Sequence, residues 1–205
     1  MKLDATVFAK VCASIEENPH GWCSQNRAIE IACAVVALKP QFVVVCGVWG
    51  GREVIAAAIA CRAVNELAQI WAIDPWDPAR SIEGLEGTSR DWWQNANHDE
   101  VRLSFLDKLN NFGCTENVLV FRQTSDQVAP PMRTGMLMVH GLGLAKTLRD
   151  LNKFVPSVEV GGLIFVDGER ISSDITVHVV RMGCTIKGHS DGGLWFQKVS
   201  PVGIS

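Results

Sequence analysis

Hydrophobic and polar positions follow two patterns along the chain, one with helical spacing and one with short uninterrupted apolar runs. Over 5–17, and again from Ser24 to Pro40, apolar side chains recur three and four positions apart, which predicts two helices. The polar stretch 18–21 separates them, and Ser24 is a suitable N-cap for the second. The second helix is apolar on most faces, so we expect it to be buried.

The short apolar runs are rich in β-branched residues and show no alternation, which is typical of strands covered on both faces. They lie at 42–46, 69–73, 118–121, 136–139 and 163–166. Helical patterns lie between or after them at 52–66, 100–110, 146–154 and 173–182. This order predicts an α/β fold with a doubly wound, mostly parallel Rossmann-like sheet. Two last runs, 184–187 and 194–199, flank a glycine-bearing turn and predict a C-terminal antiparallel hairpin that makes the sheet seven-stranded.

The segment 78–97 is polar, contains glycines and is too long for an ordinary connection. It carries the adjacent aromatic residues Trp92 and Trp93. We therefore expect a functional loop or lid there.

Length, charge, hydropathy and cysteine pattern limit the classes of protein to which this chain can belong. A chain of 205 residues predicts one domain, with N-terminal helices over 1–40 and the Rossmann-like core over 41–205. The formal charge of −3 supplies no basic field for a nucleic-acid backbone, which argues against that partner. No apolar run is long enough to span a bilayer, and the N-terminus does not resemble a signal peptide. The seven cysteines form no C-x-x-C pair, so we expect no zinc cage or disulfide framework and a reducing cytoplasm.

Two features of the first β-α-β unit indicate a ligand site. The glycine-rich turn 47–51 follows the first predicted strand and opens the next helix, where free backbone N–H groups favour an anionic or polar ligand. Its spacing matches neither the dinucleotide fingerprint nor the P-loop. Asp74 ends the second strand, where a carboxylate can accept hydrogen bonds from both hydroxyls of a ribose. Each feature alone also has a plain structural explanation, as a chain reversal or a cap.

These residues resemble a known family. The stretch 43–60 followed by Asp74-Pro75-Trp76 is similar to the first and second motifs of class I S-adenosylmethionine-dependent methyltransferases, in their small-molecule and sugar O-methyltransferase branch. The stretch 161–167 is similar to that branch's glycine pair, apolar strand and aspartate. The resemblance covers about 25–199, and the terminal hairpin agrees with the fold of this family.

The resemblance implies S-adenosylmethionine as cofactor and assigns it a set of contacts. Asp74 would hold the ribose, Pro75 and Trp76 would lie near the adenine, and Ser125 and Asp126 would contact the adenine edge. Trp76 could equally be a core residue. The residues that would wrap the amino acid part and the sugar are Gly47, Val48, Trp49, Gly50 and Gly51.

The chain departs from the family pattern at three places. Val45 stands where an acidic residue is usual, His140 begins the segment that normally reads Asp-Gly-Asn-His, and Gly168 replaces a second aspartate. Only Asp167 and Glu169 remain as nearby oxygen donors, so no metal site is expected. As candidate catalytic groups we single out Asp167 and His140, a neutral imidazole that could take a proton from an acceptor hydroxyl. The alternative is a histidine satisfied by backbone or solvent at a strand end.

The function expected from this resemblance is S-adenosylmethionine-dependent O-methylation of a small molecule or sugar. The alternative is a methyltransferase-like domain without catalysis that serves as a binding or assembly module, as the altered motifs suggest. A nicotinamide-dependent oxidoreductase is disfavoured by the glycine spacing and the terminal hairpin. The expected partner is a small-molecule acceptor, with no membrane, and the apolar N-terminal helix faces are compatible with a homo-oligomer or with helices that cover the sheet.

Overall fold

The computed structural model describes residues 3–141, 143–167 and 173–201. The strands of this part of the chain are β1 (Phe42–Cys46), β2 (Gln69–Ile73), β3 (Val118–Phe121), β4 (Thr134–Val139), β5 (Val158–Asp167), β6 (Cys184–Ser190) and β7 (Gly193–Lys198). They form one seven-stranded sheet in the order β3-β2-β1-β4-β5-β7-β6. Strands β1 to β5 pair in parallel, and β7 pairs antiparallel with both β5 and β6. The expected fold class, with its C-terminal antiparallel hairpin, is confirmed.

Helices cover both faces of the sheet. They are α1 (Ala5–Glu16), α2 (Gln25–Leu38), α3 (Arg52–Val64), α4 (Pro78–Ser81), α5 (Gly87–Asn95), α6 (His98–Asn111), α7 (Leu144–Phe154) and α8 (Ser173–Arg181). Short 3-10 turns lie at Thr115–Asn117, Ser125–Gln127 and Val155–Ser157. The Ser24 side chain accepts a hydrogen bond from the Arg27 N–H and caps α2, as its position predicts.

The central strand β1 explains why the apolar runs show no alternation. Val43 and Val45 pack into the core beneath α1, α2, α3 and α6, whereas Val44 and Cys46 pack into the core beneath α7 and α8. Successive side chains of a strand point to opposite faces, and here both faces are buried. A continuous apolar run is the result.

Two segments differ from the sequence expectation. The segment 78–97 contains two helices, α4 and α5. Helix α4 starts at Pro78, and the Asp77 side chain caps it by accepting a hydrogen bond from the Arg80 N–H. Strand β5 begins at Val158, upstream of the glycine pair that was expected to precede it. Tertiary pairing overrides the local glycine signal there: Thr134 of β4 pairs with Val158, and the Gln197 side chain on β7 donates to the Gly161 carbonyl over 3.0 Å.

The N-terminal helices belong to the same packed layer as the first crossover helix. Helices α1 and α2 both pack against α3, and their buried residues share one apolar core with it. All seven cysteines are free thiols. Across the described ranges, none of the helices has both the length and the apolar character that a membrane span requires.

Candidate functional site

The strand order reverses between the carboxyl ends of β1 and β4. In open parallel sheets this edge is where ligands bind. The chain leaves β1 through the glycine-rich loop, residues 47–51, and enters α3 at Arg52. The His140 N–H donates to the Cys46 carbonyl over 2.8 Å, so the two strand ends stay paired up to the loop.

Asp74 at the end of β2 holds the glycine-rich loop in shape. Its Oδ2 accepts hydrogen bonds from the N–H groups of Val48 (2.8 Å) and Trp49 (2.9 Å), and its Oδ1 accepts one from the Trp76 N–H (2.7 Å). Trp49 and Trp76 both have positive φ, 50° and 41°, a conformation that side chains rarely adopt. A carboxylate offers about four acceptor positions, so the buried Asp74 retains about one for a ligand.

The glycines of the loop lie close to other parts of the chain. A side chain at Gly47 would place its Cβ 2.6 Å from the carbonyl oxygen of His140, and one at Gly51 (φ 75°) would overlap the ring of Phe105 on α6. Gly50 packs in the same way against the backbone of His20. Internal packing therefore requires these glycines, whether or not a ligand approaches the loop.

Trp76 lies in the core, which is the alternative that the sequence left open for this residue. The ring is 1% exposed, stacks on Phe105 with centroids 5.8 Å apart, and donates its Nε1–H to the Trp49 carbonyl over 2.9 Å. The indole can be buried in the core because its one polar atom, Nε1, has a backbone acceptor. Pro75 beside it is partly buried.

Ser125 and Asp126 follow β3, as expected, but their side chains differ in burial and in hydrogen bonding. Ser125 is buried, and its hydroxyl donates to the carboxylate of Asp150 on α7. Asp126 is exposed. The Lys153 ammonium donates to the carbonyls of both residues, over 2.9 and 2.6 Å, so the backbone of this turn is fixed while the Asp126 side chain is open to solvent.

Four charged side chains from four elements meet at the carboxyl edge and form what we call the ion-pair network. Arg27 Nη1 of α2 lies 2.9 Å from Asp167 Oδ2 at the end of β5 and 3.1 Å from Glu53 Oε1 in the first turn of α3. His140 Nε2 lies 2.5 Å from Glu53 Oε2, and its Nδ1 lies 3.2 Å from Asp167 Oδ2. The four side chains are between 6% and 27% exposed, so two positive and two negative groups balance one another away from bulk water.

The charge state of His140 follows from this network. Burial alone would lower the pKa of the imidazole, but Glu53 and Asp167 outweigh burial and raise the pKa to about 9. Burial would raise the pKa of Asp167, yet His140 and Arg27 hold it below its usual value. His140 is therefore a cation at neutral pH, with no lone pair for a substrate proton. This protonation state does not suit the neutral general base expected from the sequence.

Glu53, His140 and Asp167 place one ligand atom each within 4.8 Å of one another, a spacing that a metal ion can use. The donor set does not fit a metal as it stands, because the Arg27 guanidinium already bonds both carboxylates and His140 carries a proton. A divalent ion would have to displace one cation and deprotonate the other. Gly168, which replaces the second aspartate of the family pattern, and Glu169, the other nearby oxygen donor, lie outside the described residues.

Arg27 and Glu53 were not among the expected site residues. The signal in the sequence was weak but present: each is a charged residue in a helix whose other positions predict burial. Charged residues are almost never fully buried unless they are paired. The two partners of Arg27, Glu53 and Asp167, lie 26 and 140 positions away from it in the sequence, beyond the reach of any local motif.

A second feature adjoins the glycine-rich loop: a cleft of about 650 Å³ between this loop, α5 and the first turns of α6. We call it the aromatic cleft. Trp49 and Trp92 line it, together with His20, Asp91 and Glu100. The expected lid segment thus contributes one wall of a cavity whose volume suits a small-molecule ligand.

Solved structures share this fold over nearly the whole chain. The O-methyltransferase NovP superposes with a TM-score of 0.69 at 15% identity, covering 95% of this chain and 97% of its own. The chain has the methyltransferase fold. TomG from Streptomyces achromogenes, an O-methyltransferase of tomaymycin synthesis solved with S-adenosylmethionine, gives 0.63 at 12% identity with coverages of 97% and 91%. A methyltransferase from Geobacter sulfurreducens gives 0.60 at 16% identity with coverages of 97% and 92%.

The similarity is structural. No protein-family model matches the sequence, and no curated protein matches it either. At these identities the comparisons establish the fold that the resemblance implied, and a fold alone does not determine an activity.

Proposed function

We propose that this protein is an S-adenosylmethionine-dependent methyltransferase that methylates an oxygen of a small molecule. The observation that carries the proposal is the arrangement of Asp74 and the glycine-rich loop at the strand-order reversal of a methyltransferase fold. Ligands bind at this position in open α/β sheets. NovP and TomG, which share the fold over 97% and 91% of their chains, are O-methyltransferases, and TomG was solved with the cofactor.

The residues at this edge fit the cofactor. Asp74 keeps an acceptor position for a ribose hydroxyl, the glycine-rich loop would face the amino acid part, and Pro75 with the exposed Asp126 would face the adenine. When bound, S-adenosylmethionine supplies a methyl group on a positively charged sulfur. Backbone around Trp76 and Ser125 can still border the adenine, although both side chains are turned to internal partners.

The protein's own contribution would be placement. Holding the acceptor oxygen in line with the methyl group in a site sheltered from water supplies much of the acceleration for such a transfer. Because His140 is a cation, we assign His140 and Asp167 a positioning role: they fix the end of β4 against α3 and β5 through the ion-pair network.

A second candidate is the methyltransferase fold used as a binding module without catalysis. Two observations favour it: Asp74 already accepts three backbone hydrogen bonds, and His140 at the end of β4 is protonated. The two candidates differ in whether the cofactor binds at the Asp74 edge.

Calorimetric titration with S-adenosylhomocysteine tests the proposal. We expect micromolar binding by the wild-type protein and at least tenfold weaker binding by Asp74→Asn, since the variant loses the negative charge that would face the ribose. Asp77→Asn is the matched control, because Asp77 is an exposed N-cap of α4 and its amide can still cap the helix. Absence of binding by the folded wild-type protein would overturn the cofactor proposal and favour the binding module.

A further inference from the structure

Tryptophan rings form a continuous wall beside the aromatic cleft. Trp49 in the glycine-rich loop lies 4.7 Å from Trp93 and 5.6 Å from Trp92 between ring centroids, and Trp22 contacts all three at 5.4 to 6.3 Å. The rings of Trp22 and Trp92 are 63% and 48% exposed, large values for the most hydrophobic rings of a protein. Much of the surface of both side chains is thus open to solvent, and Trp92 lines the cleft itself.

A buried histidine packs behind this wall of tryptophan rings. His98 at the start of α6 is buried, meets the Trp49 ring edge-on at 5.2 Å, and donates from Nε2 to the Trp93 carbonyl over 2.8 Å. The buried His98 therefore fixes Trp49 and Trp93 to the scaffold, and the exposed rings of Trp22 and Trp92 pack against these two. A rigid aromatic surface loses little entropy when it binds.

Two carboxylates border these rings without a cationic partner. Asp91 of α5 forms no ion pair and no side-chain hydrogen bond with any residue that the structure describes. Glu100 of α6 accepts only from the Asn97 side chain, over 3.0 Å. Among the described lining residues, the imidazole of His20 is the one basic group. The aromatic cleft therefore combines π faces with unbalanced negative charge.

We propose that the aromatic cleft binds a small organic ammonium cation, and that the methyl acceptor of this protein is a hydroxylated molecule carrying such a group. A cation is attracted to aromatic faces, most strongly to tryptophan, and to nearby carboxylates. Trp49 belongs to both the glycine-rich loop and the cleft, so a ligand in the cleft lies next to the site proposed for the cofactor. The acceptor role rests on the proposed function, whereas cation binding does not.

The test compares two probes of the same shape and different charge, 4-(trimethylammonio)phenol and 4-tert-butylphenol, by calorimetric titration of the full-length protein. We expect the cation to bind at least tenfold more tightly than its neutral isostere. Trp92→Leu removes one π face, and the double variant Asp91→Asn, Glu100→Gln removes the charge. Each should weaken binding of the cation at least fivefold and leave binding of the neutral probe within twofold.

Trp71→Phe is the matched control, because Trp71 packs on β2 against Phe42 and Phe121, away from the cleft. It should preserve the preference for the cation. Equal binding of both probes by the wild-type protein, or a preference that survives in the folded double variant, would overturn the proposal. Titration of the same samples with S-adenosylhomocysteine separates the two hypotheses. Cofactor binding without a preference for the cation would support the proposed function and contradict the cation site. A preference for the cation without cofactor binding would support the cation site and contradict the proposed function.

Discussion

The ion-pair network and the aromatic cleft both adjoin the glycine-rich loop, yet their charges are arranged in opposite ways. In the network, the cations Arg27 and His140 face the carboxylates of Glu53 and Asp167, and all four side chains are largely buried. In the cleft, the carboxylate of Asp91 faces solvent without a cationic partner among the described residues.

This difference separates structural charge from charge that can serve a ligand. A buried charge is costly unless it is paired, so a balanced set of four joins α2, α3, β4 and β5 and offers nothing to a ligand without disruption. An exposed carboxylate beside aromatic rings costs little and keeps its interactions free. We therefore expect the network to govern stability and the cleft to govern binding.

The largest effect is expected from Arg27→Leu. The substitution leaves two buried carboxylates with one cation, which should lower the free energy of unfolding by about 3 to 5 kcal/mol. Urea unfolding followed by circular dichroism measures the loss. The control is Arg133→Leu, which removes an exposed ion pair with Glu159 and should cost less than about 1 kcal/mol. Equal small losses in both variants would mean that the network contributes no more than a surface pair.

The sequence predicts the sheet well because its signals are local. The apolar run of β1 lies between Pro40 and Gly47, and that of β2 ends before Asp74-Pro75, so their limits match the structure. The helices of 78–97 were missed because glycines at 84 and 87 interrupt a polar segment that lacks a clear apolar face. Helix α5 buries none of its residues, so little in its pattern distinguishes it from a loop.

The candidate site was predictable only in part. Asp74 and the glycine-rich loop lie in one β-α-β unit, whose geometry places them together from spacing alone. Three hydrogen bonds from backbone N–H groups to Asp74 depend on the positive φ of two tryptophans, which no residue pattern indicates. The partnership of Arg27 with Asp167 joins residues 140 positions apart and arises from tertiary packing.

The pH dependence of stability gives the next largest effect. The pKa of His140 is about 9 in the folded protein, above the ordinary value of 6.5, so its stabilising contribution is complete below pH 6.5 and is lost as pH rises toward 9. A shift of this size corresponds to about 3 kcal/mol at most. Urea unfolding at intervals from pH 6 to 8.5 should show a steady decline. His140→Gln should flatten this decline, and a decline that persists unchanged in the variant would exclude His140 as its source.

The smallest effect on stability is expected from Asp91→Asn in the aromatic cleft. Asp167→Asn removes a carboxylate charge of the same kind from the ion-pair network, so the two variants compare the two regions directly. Asp91 is exposed and bonds no described residue through its carboxylate, so its variant should unfold within about 0.5 kcal/mol of the wild-type protein. Asp167→Asn should cost several times more, since among the described residues it leaves Glu53 as the one anionic partner of Arg27 and His140. Both variants are measured by urea unfolding at pH 7. A loss at Asp91 as large as that at Asp167 would mean that the aromatic cleft is held together by its charge, and the division between structural and ligand-directed charge would fail.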